Sequence, residues 1–325
     1  MQEEKALYRD FCRRLLDSAE CDLAPVASEY LGDNTRWHWP HPFEATIGPL
    51  QAVERFWQPF REAFSNLERR DDILMSGLYR GKAWVASTGH FTGVFSNDWL
   101  TIPPSGKPTR IRYGEFARIE NGRIEEVRTL IDLVDVCRQG GIKLLPPDRG
   151  STDPIPAPAT GDGVMLATQR QEAANDSMRL VEAMIEGLLE FDEHDLATMG
   201  MERFWTEDMR WYGPAGIGTT HGLDGFQKNH QGPFLKAFPD RTAPPQTAWL
   251  AEGDYVCVTG WPSVVGTHRG EYLGCPPTGR QVSMRVMDFW RRQAGLLAEN
   301  WVLIDMPDLF MQLGVDLLSR IRQDK

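Results

Sequence analysis

The chain has 325 residues, 41% of them apolar and 25% charged, the profile of a soluble globular protein with room for two ordinary domains. Its 46 acidic residues outnumber 35 basic ones, and the resulting charge of −11 repels phosphate backbones and anionic lipid, so neither nucleic acid nor a membrane surface is expected as a partner. No apolar run approaches the roughly 18 residues that span a bilayer, and the opening residues lack the apolar core of a secretory signal. Five scattered cysteines, at 12, 21, 137, 257 and 275, show no CxxC spacing, which predicts a reduced, cytoplasmic protein without a disulfide framework or zinc knuckle.

In chain order, Leu7, Phe11, Leu15 and Leu16 recur at helical spacing, a second short helix is expected to end near Trp37, and Leu50 to Phe64 reads as a third helix that Pro59 should kink or break. Strands follow, with a tight hairpin at Tyr79–Trp84 and another turn at Glu120-Asn121-Gly122. Pro146 to Gly163 reads PPDRGSTDPIPAPATGDG, nearly free of large apolar residues, and is assigned as a linker between domains at 1–145 and 164–325. The same order then recurs. Leu180, Met184, Leu188 and Phe191 form a helical stripe, a short helix should end near Trp211, and Leu223 to Phe238 with Pro233 gives the third helix. Hairpin signals stand at Leu250–Tyr255 and at Gln293-Ala294-Gly295.

The recurrence is a duplication. Residues 36–64 match residues 174 positions later at 9 places, including Arg36-Trp37 on Arg210-Trp211 and Pro59-Phe60 on Pro233-Phe234. At an offset of 173, residues 99–132 are identical at 12 places, Asp132 on Asp305 among them, and Glu115 falls on Asp288. Two copies are too few for a solenoid. Helices first and an antiparallel sheet second define an α+β class, two tandem domains each with helices packed on a curved sheet as a cone around a pocket.

The stretch Met287 to Asp305, with Asp288-Phe289-Trp290-Arg291, a turn ending in Gly295, then Glu299, Trp301 and a final Asp305, resembles the closing hairpin of SnoaL-like polyketide cyclases, in the nuclear transport factor two-like superfamily. Trp211-Tyr212-Gly213-Pro214, Gly222 and Pro233 to Asp240 are similar to that family's helix-end motif. The second copy follows the pattern more closely. In the first, Arg128 replaces the Trp and Asn66 follows without the Pro. The resemblance implies a small-molecule ligand, no cofactor, and a pairing of sheet faces that a fused chain can satisfy as an intramolecular pseudo-dimer, with a further homodimer left open. The superfamily carries many reactions as well as plain binding proteins, so the resemblance does not fix the chemistry.

Strand alternation puts Asp288 with Met284, Val286 and Trp290, and Asn300 with Val302 and Ile304, while Glu299, Trp301 and Asp305 share the opposite face. By resemblance to the superfamily's ketosteroid isomerases, the acid at Asp288, and Glu115 in the first copy, points into the cone. A carboxyl there has its pKa raised by desolvation and can act as general acid or base. The alternative is a carboxylate capping a helix or paired with an arginine. His230, one turn from Phe226 and Phe234, is read as a second acid–base group, or else as a buried structural histidine; Phe56 holds its place in the first copy. Asp305 and Asp132 are catalytic candidates at a strand end, with fixing of the next turn as the alternative. The family's acid–base Asp on the last strand falls on Val302 here, and on Thr129 in the first copy, and neither transfers protons. Trp37, Trp39, Trp211 and Tyr212 are placed at the pocket mouth as stacking surfaces, with Asn300 and Val302 lining the pocket. His38 and His41 form an HxxH that Pro40 denies a regular element, so no metal is expected. Arg112 and Arg285 either clamp a carboxylate or, the preferred reading, satisfy Glu126 and Glu299. With no Gly-rich phosphate loop, GxSxG or Cys–His context, a cofactor-independent acid–base enzyme stands beside a non-catalytic binding protein.

Overall fold

The computed structural model describes residues 1–19, 22–188, 190–191 and 195–322. The chain forms two compact units, one of residues 1–144, 160–168 and 316–325, the other of residues 145–159 and 169–315.

The first unit opens with α1 (Gln2–Asp17), whose Tyr8, Phe11, Cys12 and Leu15 form the buried stripe, and α2 (Leu23–Tyr30). There follow β1 (Leu31–His38), β2 (Thr46–Ile47), α3 (Gly48–Ala52), a π-helical turn (Val53–Trp57) and α4 (Gln58–Ala63). The remainder is β3 (Phe64–Tyr79), β4 (Lys82–Phe95), β5 (Pro108–Glu120), β6 (Arg123–Ile131) and α5 (Leu133–Gln139). The sheet order is β2-β1-β6-β5-β4-β3. The second unit repeats it with α6 (Gln171–Leu188), β7 (Trp205–Tyr212), β8 (Thr219–His221), α7 (Gly222–Phe226), a π turn (Gln227–Gln231) and α8 (Gly232–Ala237). Then come β9 (Ala248–Glu252), β10 (Tyr255–Thr267), β11 (Gln281–Gln293), β12 (Leu296–Ile304) and α9 (Met306–Leu313), in sheet order β8-β7-β12-β11-β10-β9.

The class is α+β, as the element order predicts, and the hairpins fall on the expected turns. Arg80-Gly81 and Asn121-Gly122 take positive φ at both corner positions, the geometry that matches strand twist. Three expectations need correction. The sheets are mixed, because β1 runs parallel to β6 and β7 parallel to β12. Trp37 and Trp211 lie on those strands and not at helix ends: Thr35 and Trp37 are buried around exposed Arg36, and this period of two outcompetes the helical reading. Phe191 lies beyond the end of its helix.

Pro59 and Pro233 neither break nor end their helices. Each follows a π turn whose last bond is i to i−5, from Gln58 N to Val53 O and from Gly232 N to Gln227 O. The wider turn fits a residue without an N–H into a continuing helix.

The Pro-rich stretch is anchored through its backbone. Leu74 N donates to Gly163 O at 2.9 Å in the first unit. In the second, Ser151 and Thr219 exchange a pair of bonds at 2.8 Å and Trp301 Nε1 donates to Pro156 O at 3.0 Å. Among the described residues no helix is long and apolar enough to cross a membrane. Cys12, Cys137, Cys257 and Cys275 are free thiols, and Cys21 lies outside the described residues.

Candidate functional site

Both sheets place one acid at the same register point on the face that meets the helices. Glu115 pairs with Ser87 on β4 and Thr129 on β6. Asp288 pairs with Val258 on β10 and Val302 on β12. Paired residues share a face, so each acid lies between the side chains of its two partners.

Around Glu115 the polar groups close on one another. Tyr8 OH donates to Oε1 at 2.5 Å, Arg69 Nη1 lies 3.3 Å from the same oxygen, and Thr129 Oγ1 donates to Oε2 at 2.7 Å. Trp37 Nε1 donates to Thr129 Oγ1 at 2.8 Å. Arg69 also pairs with Asp71 at 2.9 Å, and Asp71 accepts from Tyr113 OH and Ser87 Oγ. The rest of the interior is aromatic. Trp37 stacks on Trp39 with centroids 4.3 Å apart, and Trp39 on Phe56 at 4.0 Å. Trp37 and Trp39 are thus core and hydrogen-bonded framework, correcting their placement at a pocket mouth. Glu115, read as a catalytic candidate, is a bonded ion-pair partner with both oxygens occupied.

The second interior is built from smaller residues at matched positions. Tyr8 corresponds to Val181, Trp39 to Gly213, Phe56 to His230, Trp57 to Gln231, Tyr113 to Val286, and the Ser87 and Thr129 hydroxyls to Val258 and Val302. Asp288 therefore has apolar cross-strand neighbours. Asn300 Nδ2 approaches its Oδ1 at a long 3.4 Å while also donating to Phe289 O at 3.1 Å. Burial pushes the Asp288 carboxyl up to about 7, with the Asn300 amide acting weakly against it. Asp288 keeps part of its surface accessible although Val258, Val286 and Val302 beside it are buried.

His230 sits on the π turn, its ring stacked on Trp211 with centroids 4.1 Å apart and planes 16° apart, and flanked by Phe226 and Phe234. Desolvation pushes the imidazole down to about 3, so it is neutral at physiological pH, and its Nδ1 has no partner. Trp211 pairs in register with Asn300, which reaches Asp288. Trp211, Asn300, Val302 and Asp288 thus share one face of the sheet, against which His230 stacks through Trp211.

Tyr212 does not join them. Strand alternation turns it to the opposite face, where its hydroxyl donates to Glu299 at 3.0 Å and its ring packs on Trp301. Glu299 is held there by Arg291 Nε at 2.5 Å and by Ala159 N at 3.1 Å. Arg285 instead pairs with Asp305 at 3.1 Å and Asp308 at 3.3 Å, and Glu126 is held by Arg118 and Arg128, so the expected partnering of Arg112 and Arg285 with Glu126 and Glu299 is corrected. Asp305 accepts from Asp308 N as the N-cap of α9, and Asp132 from Asp135 N in the first unit. Both are caps, the alternative weighed against catalysis. Among the described residues no three His, Cys, Asp or Glu side chains cluster as a metal set.

Residue spacing within one copy does not single out Val258, which supplies half of the apolar flank of Asp288, or Gln231. Both become visible when residues are compared position by position between the copies.

A family model described as SnoaL-like polyketide cyclase matches residues 7–140 and again 179–313. The chain belongs to the SnoaL-like polyketide cyclase family, as a tandem pair. Solved structures similar to it include AclR from Streptomyces galilaeus, described as a candidate hydroxylase, at 28% identity over 43% of this chain and 97% of that one, TM-score 0.35. IdmH from Streptomyces antibioticus, described as a candidate polyketide cyclase, is 26% identical over 43% of this chain and 99% of that one, TM-score 0.35. An NTF2-like protein from Burkholderia thailandensis is 23% identical over 43% of this chain and 97% of that one, TM-score 0.34. No curated protein matches the chain.

Proposed function

We propose that this SnoaL-like tandem is an acid–base enzyme that moves a proton next to the carbonyl of a small apolar or cyclic compound, and that the chemistry resides in the second unit. The observation that carries the proposal is Asp288 between Val258 and Val302, with its carboxyl brought to about 7. A carboxyl near neutrality is divided between base and acid, so it takes a proton from one carbon and returns it to another. As base, Asp288 accepts the α-proton while the C–H electron pair becomes the carbon–carbon double bond of an enolate and the carbonyl π pair moves to oxygen. Neutral His230 offers that oxygen a hydrogen bond without a competing charge. Glu115 has no part in this, since Tyr8, Arg69 and Thr129 already occupy its oxygens.

The second reading, a binding protein without turnover, is favoured by one observation: Val302 stands where the family's cyclases carry an acid. The two readings separate by proton exchange. In deuterated buffer the chain is expected to accelerate α-hydrogen exchange of 2-tetralone, followed by NMR, and Asp288→Asn to lose the acceleration by about 100-fold or more. Binding of the ketone without accelerated exchange establishes the binding reading.

A further inference from the structure

Gln231 closes the π turn of the second unit and is 4% exposed, yet neither its Nε2 nor its Oε1 has a hydrogen-bond partner. Leaving a buried amide unpaired is unfavourable at both ends, and such groups in folded proteins call for a reason. Its place in the first unit gives one. Trp57 closes the equivalent π turn at the same distance before the matched Pro-Phe pair. The Trp57 ring stands edge-on to Trp37 at 5.8 Å and to Phe91 at 6.2 Å, within the interior that holds Glu115. The position therefore faces the acid-bearing side of the sheet. The second unit replaces that indole with a shorter amide that carries one acceptor and one donor.

We propose that Gln231 is the recognition residue of the second unit, binding a neutral ligand edge that presents a hydrogen-bond donor and an acceptor side by side, as in a lactam. The inference rests on the reading of the second unit as the site of ligand binding. The ligand N–H donates to Oε1 while Nε2 donates to the ligand carbonyl, closing a cyclic pair. A glutamine amide meets the donor–acceptor edge of adenine by the same geometry. His230, the preceding residue, is neutral and its Nδ1 likewise lacks a partner. A site with unpaired buried groups discriminates strongly against an analogue lacking the matching group, because the mismatch leaves those groups unpaired in the complex.

The test uses isoquinolin-1(2H)-one and its N-methyl derivative, which share a bicyclic skeleton and differ in the N–H. Binding to the full chain is measured by tryptophan fluorescence. The parent lactam is expected to bind at least about ten-fold tighter than the N-methyl compound. Gln231→Leu and Gln231→Met, of similar length, are expected to bring the two affinities within about two-fold of each other and to melt no lower than the parent chain, since each removes a buried unpaired amide. Equal affinities in the parent chain, or discrimination that survives in both variants, overturn the assignment of Gln231 while leaving the pocket intact. Failure of both compounds to bind overturns the pocket as well.

Discussion

Val302 stands directly opposite Asp288 across β11 and β12, at the register point where Thr129 stands opposite Glu115 in the first sheet. In the first unit that partner is a hydroxyl that donates to the acid at 2.7 Å; in the second it is a pair of methyl groups. Val302→Thr should therefore move the second site toward the first. A hydroxyl donated to the ionised carboxylate favours the charged form and lowers its pKa. The midpoint of Asp288 titration is expected to fall by about one pH unit, read from the pH dependence of tetralone exchange. An unchanged midpoint would show that the valine flank is not what raises it.

Asp288 also couples stability to pH. Its folded pKa, about 7, lies above the ordinary value of 3.8. Below about pH 4 both folded and unfolded chains hold the proton. Between about 4 and 7 the unfolded chain releases it while the folded chain keeps it, so stability falls as pH rises, and above 7 the loss is constant. Asp288→Asn removes the titration. The variant is expected to exceed the parent by on the order of 2–4 kcal/mol at pH 8, with the difference closing below pH 4, as urea unfolding at several pH values would reveal.

In the first unit, Arg69 is the cation between Glu115 and Asp71, with a side chain 5% exposed. Arg69→Met leaves buried Glu115 and half-buried Asp71 without a counter-ion, a loss of about 3–5 kcal/mol. Calorimetry should show melting lowered by on the order of ten degrees. A shift of only a degree or two would mean that the tyrosine and threonine hydroxyls suffice to hold the acids.

Asp305 caps α9 through Asp308 N at 3.2 Å and pairs with Arg285. Asp305→Ala is expected to destabilise the chain by about 1–2 kcal/mol in thermal unfolding and to leave tetralone exchange per folded molecule unchanged. Loss of exchange without loss of stability would place Asp305 in the chemistry instead.

The duplication, the α+β class, the hairpin turns and the face of Asp288 were legible because they rest on local rules: period two, positive φ at Gly and Asn, and matched residues at a constant offset. The parallel pairing of β1 with β6 was not, since it joins segments about 90 residues apart and leaves no local pattern. Tyr212 lies off the face expected of it because one residue along a strand reverses the face, and its neighbour Trp211 is the one that pairs with Asn300 on the side of Asp288. Arg285 met Asp305 and Asp308 and not Glu299, which Arg291 already holds; charge matching along a strand does not tell which of two arginines reaches. The difference in side-chain size between the two interiors was present in the sequence all along, as Trp57 against Gln231 and Tyr113 against Val286. It needed the fold to show that these positions look inward.

The most direct test of the account is the titration of the Asp288 carboxyl itself, followed by the 13Cγ shift of labelled aspartate and assigned by comparison with Asp288→Asn. A midpoint near 7 is predicted, from burial between Val258 and Val302. A midpoint near the ordinary 3.8 would leave Asp288 a permanent carboxylate at neutral pH and contradict its assignment as the acid–base centre.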